Sequence, residues 1–159
     1  MAGVLDDVDR VILRTLSENA RASLQEIANA LGMSRATIHE RLKKLNQNGY
    51  VRGYKADIDW LRLGYTVVAW VALQTEQGEA SYYVLDDLAK IPEVESAYMV
   101  AGRFDCLVKL RAIDHQHLQR LLFDHVGRIR GFHRAETMVV LSAPLENNVS
   151  RLLESPENI

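Results

Sequence analysis

Residues 23–45, SLQEIANALGMSRATIHERLKKL, constrain this chain more than any other stretch. Leu24, Ile27, Ala28 and Leu31 recur at i, i+3, i+4 and i+7, the apolar face of a short helix. Ile38, Leu42 and Leu45 recur at i, i+4 and i+7 and mark a second helix. Between them, Gly32 suits the left-handed end of the first helix and Ser34 is a good N-cap for the second. A tight helix–turn–helix with glycine in the turn is the unit that lays its second helix in the major groove of double-stranded DNA. The outward side of that helix carries Arg35, Thr37, His39, Glu40, Arg41, Lys43 and Lys44. We therefore expect a DNA-binding unit here.

Charge supports the expectation through its distribution rather than its sum. The formal net charge is −2, yet residues 1–55 hold nine Lys/Arg against six Asp/Glu, while 56–159 hold ten against fifteen. Between 34 and 55, Glu40 alone opposes Arg35, Arg41, Lys43, Lys44, Arg52 and Lys55. One end is built to meet an anion. Apolar content of 48% and charged content of 25% fit an ordinary globular protein, long enough for two small domains. No run is long and apolar enough for a membrane span, and MAGVLDDVDR lacks the apolar core of a signal peptide. The single Cys106 excludes an internal disulfide. A cytoplasmic location without a membrane partner is expected.

A first helix fits Asp6 to Ser17, with Val8, Ile12 and Leu16 as its stripe and Asp6 and Asp7 favoured by the helix dipole. Ser23 with Glu26 forms a capping box for the second helix, and Asn48-Gly49 stops the third. Tyr50 to Tyr54 reads as extended, the place for a wing or linker strand. Side chains near the start of the third helix should reach base edges, which nominates Arg35, Ala36, Thr37, His39 and Glu40 beside the cap Ser34. Arg35 suits a guanine edge and Glu40 a cytosine amino group. Lys43, Lys44 and Arg52 suit phosphates. Arg41 lies near the buried edge, where a salt bridge to a first-helix acid competes with a phosphate contact.

From Tyr65 the period changes. TVVAWVAL (66–73) is a strand apolar on both alternating faces. A helix over 79–90 follows, with Tyr82, Leu85, Leu88 and Ala89 inward, ended at Ile91-Pro92. Val94–Ala101 and Cys106–Ala112 read as strands around the turn Gly102-Arg103-Phe104-Asp105. Asp114 caps a helix striped by Leu118, Leu121, Leu122 and Val126, and a last strand runs over 132–142. The order β-α-β-β-α-β is the ferredoxin-like arrangement, with both helices on one side of the sheet. The other side also needs cover, and a second subunit is the natural candidate. The expected division is a helix–turn–helix domain at 1–50, a wing or linker strand at 51–64, a ferredoxin-like domain at 65–144 and a tail at 145–159.

Other chemistry finds little support. His115 and His117 stand two apart on a helix, and no cysteine pair or carboxylate cluster joins them, His125 or His133. No nucleophile–base pair or phosphate-cradling glycine loop is present. We expect no metal site, no cofactor and no catalytic residue.

Taken together, several stretches resemble the leucine-responsive/asparagine regulator (Lrp/AsnC, feast/famine) family. They are residues 5–13 (LDDVDRVIL), Leu31-Gly32-Met33-Ser34 with Arg41 and Leu45, residues 48–54 (NGYVRGY), Leu63-Gly64-Tyr65, and Gly102-Arg103-Phe104-Asp105. The resemblance covers about 5–144 and implies an α+β chain with an N-terminal winged helix–turn–helix and a ferredoxin-like ligand-sensing domain. It further implies a transcriptional regulator, dimeric and often assembled further to an octamer. The effector is typically an amino acid, bound between dimers near the Gly-x-x-Asp turn. Carried over by position, that site is Gly102, Arg103, Phe104 and Asp105 with Thr137 of the last strand. Ala135 stands where a companion threonine is usual, and Phe104 lacks the hydroxyl of the tyrosine common there. Sirohaem decarboxylases resemble the same architecture, but the aromatic- and histidine-rich stretches that mark them are not seen after Leu63. An effector-independent DNA-architectural protein is the other competing class.

Overall fold

The computed structural model describes residues 5–75, 83–143 and 150–154, in two units. The first holds the described residues up to Asp57 together with Ser150–Glu154; the second holds the described residues from Ile58 onward to 143.

In the first unit, α1 (Asp7–Glu18), α2 (Leu24–Leu31) and α3 (Arg35–Gln47) are each started by a capping side chain. Asp6 caps α1 and Asp9 returns the bond to its backbone, so the expected first residue is the cap and the helix begins one residue later. Ser23 and Glu26 form the second box, and the Ser34 hydroxyl accepts from the Thr37 N–H at 3.1 Å. Gly32 ends α2 at φ +62°, where a side chain is strained. Ile12, Leu16, Ile27, Ala28, Ile38 and Leu45 make the core, with Val8, Leu24, Leu31 and Leu42 packed at its edge. A 3-10 turn, Ser150–Glu154, packs against α1, so this part of the expected tail lies on the first unit.

No strand forms between 51 and 64. Residues 51–59 carry no regular secondary structure, and 60–64 turn back through the Tyr65 N–H bonded to the Trp60 carbonyl at 3.0 Å. The expected wing strand is corrected accordingly. An extended segment becomes a strand only when a neighbouring backbone pairs with it in a ladder; the Val51 N–H bonds back to the Leu45 carbonyl, and among the described residues no strand pairs with 51–64.

In the second unit, β1 (Val67–Thr75), β2 (Val94–Met99), β3 (Cys106–Ala112) and β4 (Phe132–Val139) form one antiparallel sheet in the order β2-β3-β1-β4. Val67, Ala69, Val71 and Leu73 of β1 point with Cys106, Val108, Leu110 and Ala112 of β3 onto the helices α4 (Val84–Leu88) and α5 (His115–Arg120). Asp114 caps α5 as expected, and the helix then widens to a π turn over Leu121–His125. Two details differ from the sequence pattern. Within α4, Val84 and Leu88 face the core while Leu85 and Ala89 are exposed; Tyr82 lies outside the described residues. The last strand ends at Val139, three residues early, and Leu141 is fully exposed. Among the described residues, no helix is long and apolar enough to cross a membrane.

Candidate nucleic-acid interface and ligand-sensing turn

α3 is anchored by Ile38 and Leu45, so its opposite side faces solvent. Ser34, Arg35, Ala36, Thr37, His39, Glu40, Lys43 and Lys44 are all exposed, as is Arg52 beyond the helix. The Ser34 and Thr37 hydroxyls lie 2.8 Å apart and close the helix start. A surface bearing Arg35, Lys43 and Lys44 on one rigid helix can meet phosphates and a groove edge together.

Arg41 stands apart from this set. Its Nη1 donates to Asp6 Oδ2 at 2.6 Å and to Asp9 Oδ1 at 2.9 Å, and its side chain is only 29% exposed. The Asp9 backbone N–H holds the Asp6 carboxyl below its usual range; desolvation opposes it, and the Arg41 guanidinium adds to the lowering. Asp6 and Asp9 thus serve α1's cap and α3's anchor at once. The sequence offered a salt bridge to a first-helix acid as one of two roles for Arg41, and that is the contact formed; which acids it meets was not legible, because the pairing spans more than thirty residues. A cleft of about 400 Å³ opens beside it, walled by Glu40, Arg41, Lys44 and Tyr50.

The turn after β2 is held by Asp105. Its backbone N–H donates to the Leu73 carbonyl at 2.9 Å, and its carboxylate accepts from the Thr75 N–H at 2.8 Å and the Thr75 hydroxyl at 3.3 Å. One oxygen of the Asp105 carboxylate is therefore committed to the end of β1, and Thr75 is the partner that the sequence did not reveal. Gly102 sits at φ +152° with open space where a Cβ would stand. The Arg103 guanidinium lies over the Phe104 ring, 5.2 Å from its centroid, with Nη2 3.9 Å from Glu136 Oε2. Thr137 is not brought to the same face. It pairs with Val71, whose side chain points to the helices, whereas Glu136 pairs with Ala72 on the open face.

That open face is apolar at its centre. The Trp70 and Tyr98 rings lie side by side, 6.5 Å between centroids and tilted by 32°, with Leu107 and Met138 beside them in register. Lys109 and Arg111 flank the patch and both pair with Glu95. Desolvation opposes ionisation of Glu95, but the two cations outweigh it and keep the carboxyl below its usual range.

Known proteins share both halves. Residues 5–46 match the AsnC-type helix-turn-helix domain, and residues 66–150 match the Lrp/AsnC ligand binding domain. An HTH-type transcriptional regulator of Pyrococcus furiosus is 34% identical over 146 residues, spanning 92% of this chain and 95% of its own. Its Pyrococcus horikoshii counterpart is 35% identical over 142 residues, spanning 89% and 93%. The solved structure of E. coli AsnC superposes with a TM-score of 0.86 at 29% identity, covering 93% of this chain and 99% of that one. A Neisseria meningitidis regulator solved as an L-Met complex shares the fold, with a TM-score of 0.86 at 24% identity over 90% and 94%. The relatives are regulators rather than enzymes, which sets the decarboxylase reading aside. With a DNA-binding helix–turn–helix unit and a ligand-binding ferredoxin-like unit in one chain, this protein belongs to the Lrp/AsnC family of transcriptional regulators.

Proposed function

We propose that the chain is a sequence-specific regulator whose promoter occupancy is tuned by a small-molecule effector, an amino acid, bound between neighbouring dimers. The observation that carries the DNA half is the exposed cationic side of α3. Arg35, Ala36, Thr37, His39 and Glu40 are assigned to base edges, and Ser34, Lys43, Lys44 and Arg52 to the phosphate backbone. The effector half rests on the matched ligand-binding domain and on the L-methionine held by the Neisseria protein of the same fold. Gly102, Arg103, Phe104 and Asp105 are its assigned contacts; Thr137 of β4, on the helix side of the sheet, is not counted among them. The second subunit covers the open face around Trp70 and Tyr98, and dimers assemble further toward an octamer. An effector acts by binding one arrangement of readers better than another.

The test pairs light-scattering mass with gel shift on promoter DNA, alone and with each amino acid. A dimer-multiple whose DNA retention one amino acid changes supports the whole reading. A multimer that binds DNA and ignores all of them leaves an architectural protein or a different effector. Replacing Lys44 by Gln should weaken binding alike on all sequences and lower the slope of log affinity against log salt by about one. An unchanged slope would remove Lys44 from the interface.

A further inference from the structure

We propose that Arg41 is the positioning residue of the reading helix. Held by Asp6 and Asp9, it fixes the roll of α3 on α1 and so decides which side chains reach base edges, while touching no phosphate itself. The inference rests on α3 being the helix that enters the groove.

The need for such a residue follows from how α3 is packed. Its buried anchors, Ile38 and Leu45, stand seven apart, which is close to two turns, and lie nearly on one line along the helix, with half-buried Leu42 about 40° to one side of it. Apolar contact along that line and one flank resists sliding but leaves the other flank, where Arg41 lies, without an apolar anchor against rolling. Arg41 projects about 60° round the helix from Ile38. Its two bonds, at 2.6 and 2.9 Å, tie that off-line position to the capped start of α1. Asp6 and Asp9 are themselves fixed by the capping box, so the tie ends on rigid structure rather than on free side chains. A roll of about 10° moves a side-chain tip about 6 Å from the axis by about 1 Å. That displacement exceeds the window of a good hydrogen bond to a base edge. Contacts to phosphates tolerate it better, because a Lys ammonium acts as a point charge on a flexible stem.

Arg41 therefore governs sequence discrimination and leaves the counterion-release part of binding alone. The experiment takes the full chain and two duplexes, one enriched by the wild type from a randomised pool and one scrambled. Each is titrated over a range of salt, with Arg41→Gln, Arg41→Lys, Asp9→Asn and, as a control, Lys43→Gln. Arg41→Gln should lose roughly tenfold or more on the enriched duplex and stay within about twofold on the scrambled one, with the wild-type salt slope. Lys43→Gln should lower the slope by about one on both. Arg41→Lys should restore part of the discrimination. Asp9→Asn leaves the Asp6 bond in place, takes the charge from the second acceptor and acts from α1; it should reproduce part of the loss of discrimination in a chain that still folds, even if Arg41→Gln melts the unit. A slope lowered by about one in Arg41→Gln would make Arg41 a phosphate contact and overturn the inference, as would undiminished discrimination in Asp9→Asn. A wild type that enriches nothing and shows no salt-dependent retention would instead remove the reading helix itself.

Discussion

Asp87 shows what a single carboxylate contributes here. Arg130 reaches it with Nε at 2.9 Å and Nη2 at 3.0 Å, and Lys90 adds a third bond at 2.7 Å. The Arg130 plane also covers the Tyr83 ring at 4.2 Å. The arginine first and the lysine second hold the Asp87 carboxyl far below the usual carboxylate range. A carboxyl depressed in the folded state stabilises it fully above its unfolded value, about pH 4, and loses that contribution as pH falls from there through the folded value. Asp87→Asn should therefore lower the urea midpoint at pH 7, with the deficit shrinking below about pH 4. Both tryptophans, Trp60 and Trp70, lie in the second unit with Asp87, so their fluorescence reports this unit's unfolding. Curves that stay parallel down to pH 2 would refute the coupling. None of this was legible in the sequence, because Asp87 and Arg130 lie 43 residues apart and every exposed acid looks alike until a partner is placed beside it.

Whole elements were easier to read than pairs. Capping residues and glycines act on their own neighbours, so Ser23 with Glu26, Gly32, Ser34 and Asp114 all took the roles that their spacing predicts. Gly32 gives a clean test. A Cβ there meets nothing within 4 Å, so Gly32→Ala pays only for its φ of +62°. The expected cost is about 1 kcal/mol, read as a lower denaturation midpoint of the first unit by helical circular dichroism. An undiminished midpoint would mean that the turn relaxes at no cost. Where an element misled, tertiary context chose between equal alternatives. The run from 82 to 89 offers two apolar stripes, and the sheet selected Val84 and Leu88 with Ile91 over Leu85 and Ala89. The segment 51–59 looked like a strand, yet strands are a property of pairs, and its composition could not supply the second backbone.

At the scale of the whole molecule, the strand that the sequence marked as apolar on both faces sits at the centre of the sheet, and only one of its faces is covered by α4 and α5. Tyr98 is 52% exposed and Met138 47%, side by side with half-buried Trp70 and Leu107. Charge does not favour association, since residues 58–144 carry eleven acids against nine bases and two such domains repel weakly. Apolar burial over this patch, with Glu95, Lys109 and Arg111 satisfied at its margin, is what can outweigh that repulsion. Trp70→Glu puts a fifth-wheel charge at the middle of the patch and should convert a dimer-multiple into monomer by light scattering. The monomer keeps its α3, so its affinity for one half-site should hold. Its affinity for two half-sites on one duplex should fall roughly a hundredfold or more, because the second reader no longer binds at the effective concentration set by its tether to the first. A variant that scatters as the parent does would place the interface elsewhere. One that becomes monomeric yet keeps full affinity for the paired site would show that the two readers never act together, and the dimer would then serve the sensing domain alone.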